Sequence, residues 1–165
     1  MLLDVIKERR SIRKYTDQKV SEEQIREILE AAFWAPTAVN RQEWRFAVVE
    51  DREILKKFAE INPNAGMTAG AAFSVIVGYQ EGVNDRFAQV DCGAAVQNML
   101  LQAQSMGIGS VWCALMPGSE NGIKTAELLG MPEDFRTVAT VQFGYPAEER
   151  TVEDRYDENK VKFIR

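Results

Sequence analysis

The spacing of apolar and polar positions changes several times along this chain, and each change marks an element. Leu2, Leu3 and Ile6 suit a short first helix. Ser21-Glu22-Glu23-Gln24 has the form of a capping box, after which Ile25, Ile28, Leu29, Ala32 and Phe33 keep one helical face apolar until Pro36 stops it. A strand is expected over 46–49, and Asp51 should cap a helix carrying Ile54, Leu55, Phe58 and Ile61, ended by 62–64. The nearly continuous apolar run 73–79 predicts a strand covered on both faces. From residue 85 or 86 to 106 a long helix is apolar over much of its circumference and should be buried nearly all round. Gly93, Ala94 and Ala95 keep its middle thin, which suits close approach of a helix, a partner subunit or ordinary core packing. A glycine turn at 107–109 then feeds a strand reaching Ala114, a short helix over 122–129 is stopped by Gly130 and Pro132, and a last strand spans 137–143.

Helices that alternate with strands in this way argue for a three-layer α/β or α+β sandwich instead of a bundle or barrel. Neither a repeat nor a linker divides the chain, so residues 1–165 are expected to form one domain. The charged segment from about 147 to 165 closes on the alternating Val161-Lys162-Phe163-Ile164. An arm that adds an edge strand to a sheet, its own or a partner's, explains that ending, and a disordered tail is the alternative.

Composition narrows the chemistry. Apolar residues make up 45% and charged residues 27% of the 165, ordinary globular values that argue against a fibrous or disordered chain. The net charge is −5 and no basic run extends beyond residues 9–14, which disfavours a nucleic-acid partner. No stretch approaches the ~20 apolar residues of a membrane span, and the start lacks the basic and long apolar regions of a signal peptide. A cytoplasmic protein with no membrane partner is expected. Two cysteines, Cys92 and Cys113, lie in apolar surroundings and are read as buried thiols. The absence of histidine removes Ser-His and Cys-His nucleophile schemes and the commonest transition-metal ligand, so no metal site is expected. Carboxylates, backbone groups, arginines or a cofactor must carry any reaction.

Two stretches suit a cofactor. Arg9-Arg10-Ser11-Ile12-Arg13 places three guanidiniums and a hydroxyl within five residues, a set that grips phosphate by forked, charge-assisted hydrogen bonds. The plainer account is a solvated basic helix end that complements the helix dipole. Pro36-Thr37-Ala38-Val39-Asn40-Arg41-Gln42-Glu43-Trp44 supplies hydroxyl and amide groups for a planar heterocycle. In an extended backbone Asn40 and Gln42 would point to the same side; alone they are ordinary loop amides. Neither a P-loop nor a strand-following G-x-G-x-x-G occurs.

Taken with residues 91–98, Gly107-Ile108-Gly109-Ser110-Val111-Trp112 and Gly144-Tyr145-Pro146-Ala147-Glu148, these stretches resemble the FMN-dependent nitroreductase family over nearly the whole length. The resemblance implies a sandwich with a central mixed β-sheet flanked by helices, and an intertwined homodimer with FMN at the subunit interface. It implies that Arg9 and Ser11 hold the FMN phosphate, that Arg10 lies along the phosphate and ribityl chain, and that Arg13 approaches the pyrimidine edge. There a cation stabilises the reduced anionic ring. Pro36, Thr37, Ala38, Asn40 and Gln42 would reach the same flavin from the other subunit, with Cys113, Ala114 and Leu115 passing its N5 side. Three departures from the family pattern stand out. Glu43 takes the place of a usual proline, Thr37 that of a common serine, and Glu153 a place often basic, which leaves Arg150, and Arg155 behind it, to neutralise phosphate. The implied activity is ping-pong hydride transfer from NADH or NADPH through FMN N5 to a small-molecule acceptor such as a nitroaromatic or quinone. The alternatives are other flavin chemistry on the same fold (enone reduction, dehalogenation or flavin fragmentation) and FMN binding without turnover.

Overall fold

Local capping chemistry sets where the helices begin. Ser21 Oγ accepts the Gln24 N–H at 3.2 Å while Gln24 Oε1 accepts the Ser21 N–H at 3.0 Å, completing the expected capping box. Asp51 accepts the N–H groups of Glu53 and Ile54 at 2.9 and 3.0 Å. The computed structural model describes residues 2–82 and 85–165. Its helices are α1 (Asp4–Glu8), α2 (Glu22–Phe33), α3 (Arg52–Ile61), α4 (Asp85–Ser105) and α5 (Glu120–Leu128). Its strands are β1 (Trp44–Val49), β2 (Phe73–Gln80), β3 (Gly109–Ala114) and β4 (Phe135–Gly144), with 3-10 segments at Ala38–Asn40, Pro63–Gly70 and Glu158–Lys160. Helix α5 starts two residues before the apolar pattern suggested, because Ser119 caps it by accepting the Gly122 N–H.

Strand alternation builds the layers. Phe73, Val75, Val77 and Tyr79 of β2 point into a core shared with α2 and α4, while Ile76 points the other way, into a cluster with Val49, Leu55, Phe58, Ala126 and Phe135. The sheet thus lies between an α2/α4 layer and an α3/α5 layer, the expected three-layer sandwich. Phe73 and Phe143, paired across β2 and β4, stack with centroids 4.7 Å apart and tie the sheet to the first core.

The strand order is β1-β2-β4-β3, and all three pairings are antiparallel. The expected mixed sheet is therefore antiparallel through its four strands, and the parallel contact is an isolated bridge between Ser11 and Ser110. Periodicity tells which side chains share a face; strand direction depends on how the connections return, which periodicity does not encode. Residues 161–165 form no strand within this chain and lie exposed, leaving β1 as a sheet edge.

Helix α4 is less enclosed than its composition suggests. Ala88, Cys92, Ala95, Val96, Met99, Leu100 and Ala103 are buried, yet Phe87 and Val90 remain 44% and 69% exposed. At its thin middle the close neighbour is the indole of Trp112, 3.3 Å from where a Cβ on Gly93 would sit.

A bare patch at the end of the sheet positions the N-terminal segment. Gly109 and Gly144 are register partners across β3 and β4. A Cβ on Gly109 would stand 2.8 Å from Ile12, and one on Gly144 2.8 Å from Tyr15. Without those side chains, residues 11–15 lie directly on the sheet, held by Ile12 N–H to Ser110 O, Thr16 N–H to Tyr145 O and Ala147 N–H to Lys14 O, each at 2.9 Å. Tyr15 adds its hydroxyl to Ile12 O at 2.6 Å.

Candidate functional site

Ile12 is buried, so in an extended segment its neighbours Ser11 and Arg13 face away from the core. They open onto a cleft of about 330 Å³ whose walls also include Arg9, Arg10, Arg150, Thr151, Glu153 and Arg155. The sequence-predicted phosphate residues are thereby brought together, Arg150 and Arg155 among them, although they come from opposite ends of the chain.

The five guanidiniums differ in what holds them. Arg10 donates to the carbonyls of Thr151, Lys7 and Arg9 at 3.0, 2.8 and 2.7 Å, so it clamps the C-terminal segment against the end of α1. Arg150 donates to Glu148 Oε2 at 2.8 Å. The guanidiniums of Arg9, Arg13 and Arg155 have no hydrogen bond or ion pair with the described residues. Arg9 is pushed below its usual range, first by burial and then by the positive charges of Arg155 and Arg10. A half-buried guanidinium beside two others, lacking a carboxylate partner, is the electrostatic complement of a dianion.

Glu148 is a positioning residue that periodicity did not single out. Its Oε1 accepts the backbone N–H groups of Arg13 at 2.6 Å and Lys14 at 3.2 Å, and its Oε2 holds Arg150. These contacts, the Arg13 N–H first, hold its carboxyl below the usual range. Nothing local to Glu148 distinguishes it from neighbouring Glu149; only the approach of residues 13–14 does.

None of Pro36, Thr37, Ala38, Asn40 and Gln42 lines this cleft. Asp91 of α4, only 8% exposed, accepts the Ala38 N–H with both oxygens at 3.2 and 3.1 Å. Thr37 Oγ1 accepts the Gln42 N–H at 3.1 Å, and Gln42 Nε2 donates to Asn40 Oδ1 at 3.0 Å. Val39, Asn40 and Gln42 all adopt positive φ, at 48°, 56° and 57°. For a β-branched residue such as Val39 this is a strained conformation, of order 1–3 kcal/mol, of the kind that gathers at functional loops. The Val39 side chain is 83% exposed.

At the end of β3, Cys113 is half-buried and Ala114 is exposed, and Leu115 just past the strand is buried with its N–H on Val138 O at 2.7 Å. Cys113 is thus less enclosed than the apolar run implied, because β3 is an edge strand; its Sγ meets Met67 Sδ at 3.9 Å. Burial raises its thiol pKa and Arg13 partly offsets that, which sets Arg13 near this strand. Cys92, fully buried, is pushed up to about 12 by burial and the Asp91 charge.

The sequence profile described as Nitroreductase family matches residues 6–65 and 62–145. A protein of Archaeoglobus fulgidus, provisionally named NADH dehydrogenase/NAD(P)H nitroreductase, is 40% identical over 166 residues, covering 96% of this chain and 95% of the relative. A crystal structure of a protein with the same provisional name from Bacteroides thetaiotaomicron superposes with a TM-score of 0.92 at 35% identity, covering 97% of this chain and 95% of that one. A provisionally named nitroreductase of Desulfovibrio desulfuricans, solved in complex with FMN, gives a TM-score of 0.83 at 32% identity over 98% and 95% of the two chains. With fold, profile and relatives in agreement over nearly its whole length, this chain belongs to the nitroreductase family.

Proposed function

We propose that this chain is an FMN-dependent NAD(P)H oxidoreductase that works in the cytoplasm as a single-domain protomer of a homodimer. The observation that carries the reading is the cleft in which Ser11 stands beside three arginines, Arg9, Arg13 and Arg155, whose charges find no partner among the described residues. Those groups fit a flavin mononucleotide, whose phosphate needs cations and hydroxyls and whose pyrimidine edge gains from a nearby positive charge. Bound there, FMN supplies hydride chemistry at N5, with NADH or NADPH as donor and a nitroaromatic, quinone or similar small molecule as acceptor in ping-pong half-reactions.

The chain's own residues bind and orient. Arg9, Ser11 and Arg155 grip the phosphate, Arg10 and Glu148 hold the two backbone segments that present them, and Arg13 sets positive charge at the ring edge. Cys113, Ala114 and Leu115 offer backbone along the other side of the ring. The amides of Asn40 and Gln42, with Pro36, Thr37 and Ala38, come from the second copy. That none of them lines the arginine cleft of the same chain supports this arrangement, as do the exposed apolar side chains of Trp34 (80%) and Val39. The alternating end of the C-terminal arm suits strand addition onto the free β1 edge of the second copy.

Purified protein should be yellow, or become so with FMN, and anaerobic NADH or NADPH should bleach the visible flavin bands. Protein that stays colourless after reconstitution would overturn the reading. Stable colour that neither donor bleaches would leave a binding protein and not an enzyme.

A further inference from the structure

The arginine cleft contains one carboxylate, Glu153. It lines the 330 Å³ cleft together with Arg9, Arg10 and Arg155, and the same four residues border a second cleft of about 790 Å³ on the α1 side. Glu153 therefore stands in the wall between the two. It makes no hydrogen bond or ion pair with any described residue, and Arg9 and Arg155 are likewise unpaired. By contrast Glu148 is fully engaged by two backbone N–H groups and Arg150, and Asp4 and Asp154 line only the larger cleft. The Glu153 charge is thus not consumed in holding the fold together, and the residue is exposed along the lining of the cleft.

We infer that Glu153 is a built-in counter-charge that weakens the cleft's hold on phosphate, so that the site discriminates only moderately between a phosphorylated flavin and its dephosphorylated form and releases the former readily. The inference rests on the FMN reading above and adds a residue that sets affinity and exchange. A phosphate monoester carries roughly −1.5 to −2 charges at neutral pH. A carboxylate sharing its cleft repels it through a partly solvated medium, and salt screens that repulsion. A ligand lacking the phosphate does not feel it.

The test compares the intact protein with Glu153→Gln by fluorescence titration with FMN and riboflavin at low and high salt, and by thermal melts with inorganic phosphate. In Glu153→Gln, FMN should bind about three- to tenfold more tightly at low salt, with the gain shrinking at high salt. Riboflavin affinity should not change, and phosphate should raise the melting temperature more than in the unmodified chain. Unchanged or weaker FMN binding would overturn the inference. So would equal gains for FMN and riboflavin, which would place the effect at the ring or in the fold. If neither flavin binds the unmodified chain, the FMN reading fails. The phosphate melts then still decide Glu153: a larger upshift in the variant supports the counter-charge, and an equal one overturns it.

Discussion

Arg9 and Arg10 are adjacent in sequence and opposite in circumstance. The Arg9 guanidinium meets no partner among the described residues, while Arg10 is spent on three carbonyls. On the proposed reading, removing Arg9 takes away a charge-assisted contact to the FMN phosphate, and it relieves like-charge crowding with Arg155 and Arg10. Arg9→Ala should therefore raise the FMN dissociation constant by about ten- to hundredfold with no loss of thermal stability. Arg10→Ala should lower the melting temperature as well, because Thr151 and the end of α1 lose their clamp. Calorimetric titration and melts on both variants check the contrast. Arg13→Ala should chiefly move the flavin midpoint potential to more negative values, since a cation at the ring edge favours the reduced, anionic state. Cys92 adds a pH dependence. Its folded pKa, pushed up to about 12, lies above the ordinary value of 9.0. As pH climbs through 9 the unfolded thiol loses its proton while the folded one keeps it, so stability falls between roughly pH 9 and 12. Urea unfolding across that range should show a steeper decline for the native chain than for Cys92→Ala.

At the scale of elements, the pair Gly109 and Gly144 decides whether residues 11–15 lie on the sheet at all. Gly109→Ala or Gly144→Ala puts a methyl 2.8 Å from Ile12 or Tyr15. Each should cost about 1–3 kcal/mol by urea unfolding and weaken FMN binding, because Ser11 and Arg13 ride on the displaced segment. Gly66→Ala, with open space around its Cβ, is the matched control. This pair also shows where sequence reading stops. The capping box at Ser21, the Asp51 cap, the two-faced strand β2 and the arginine cluster follow from local chemistry, and each is visible as spacing. That Gly109 would face Gly144, and that Glu148 rather than Glu149 would hold the Arg13 amide, depends on strand register between distant segments. Asp91 gave the same difficulty. Periodicity places it in a long, largely buried helix without naming its partner, and only the approach of the loop at Ala38 supplies one. The antiparallel sense of the sheet was hidden for a like reason, as apolar periodicity is blind to strand direction.

Across the whole molecule, the arginine cleft and the amide loop share no lining residue within one chain. If the two halves of each site come from different copies, damage to one half in one copy and the other half in its partner should be mutually repaired. Arg9→Ala and Asn40→Ala homodimers should each bind FMN weakly. After the two are mixed and allowed to exchange subunits, a heterodimer holds one site with both defects and one with neither. Random assortment makes half the dimers heterodimers, so about one quarter of all sites should regain native affinity, with a matching share of NAD(P)H-driven flavin bleaching. A site built within one chain behaves otherwise. Every protomer in the mixture would carry exactly one defect, and no native site would appear at any ratio. Titrating FMN into the equilibrated mixture therefore separates the two arrangements by whether a tight-binding fraction emerges. The size of that fraction should follow the product of the two protomer fractions and peak at equal mixing.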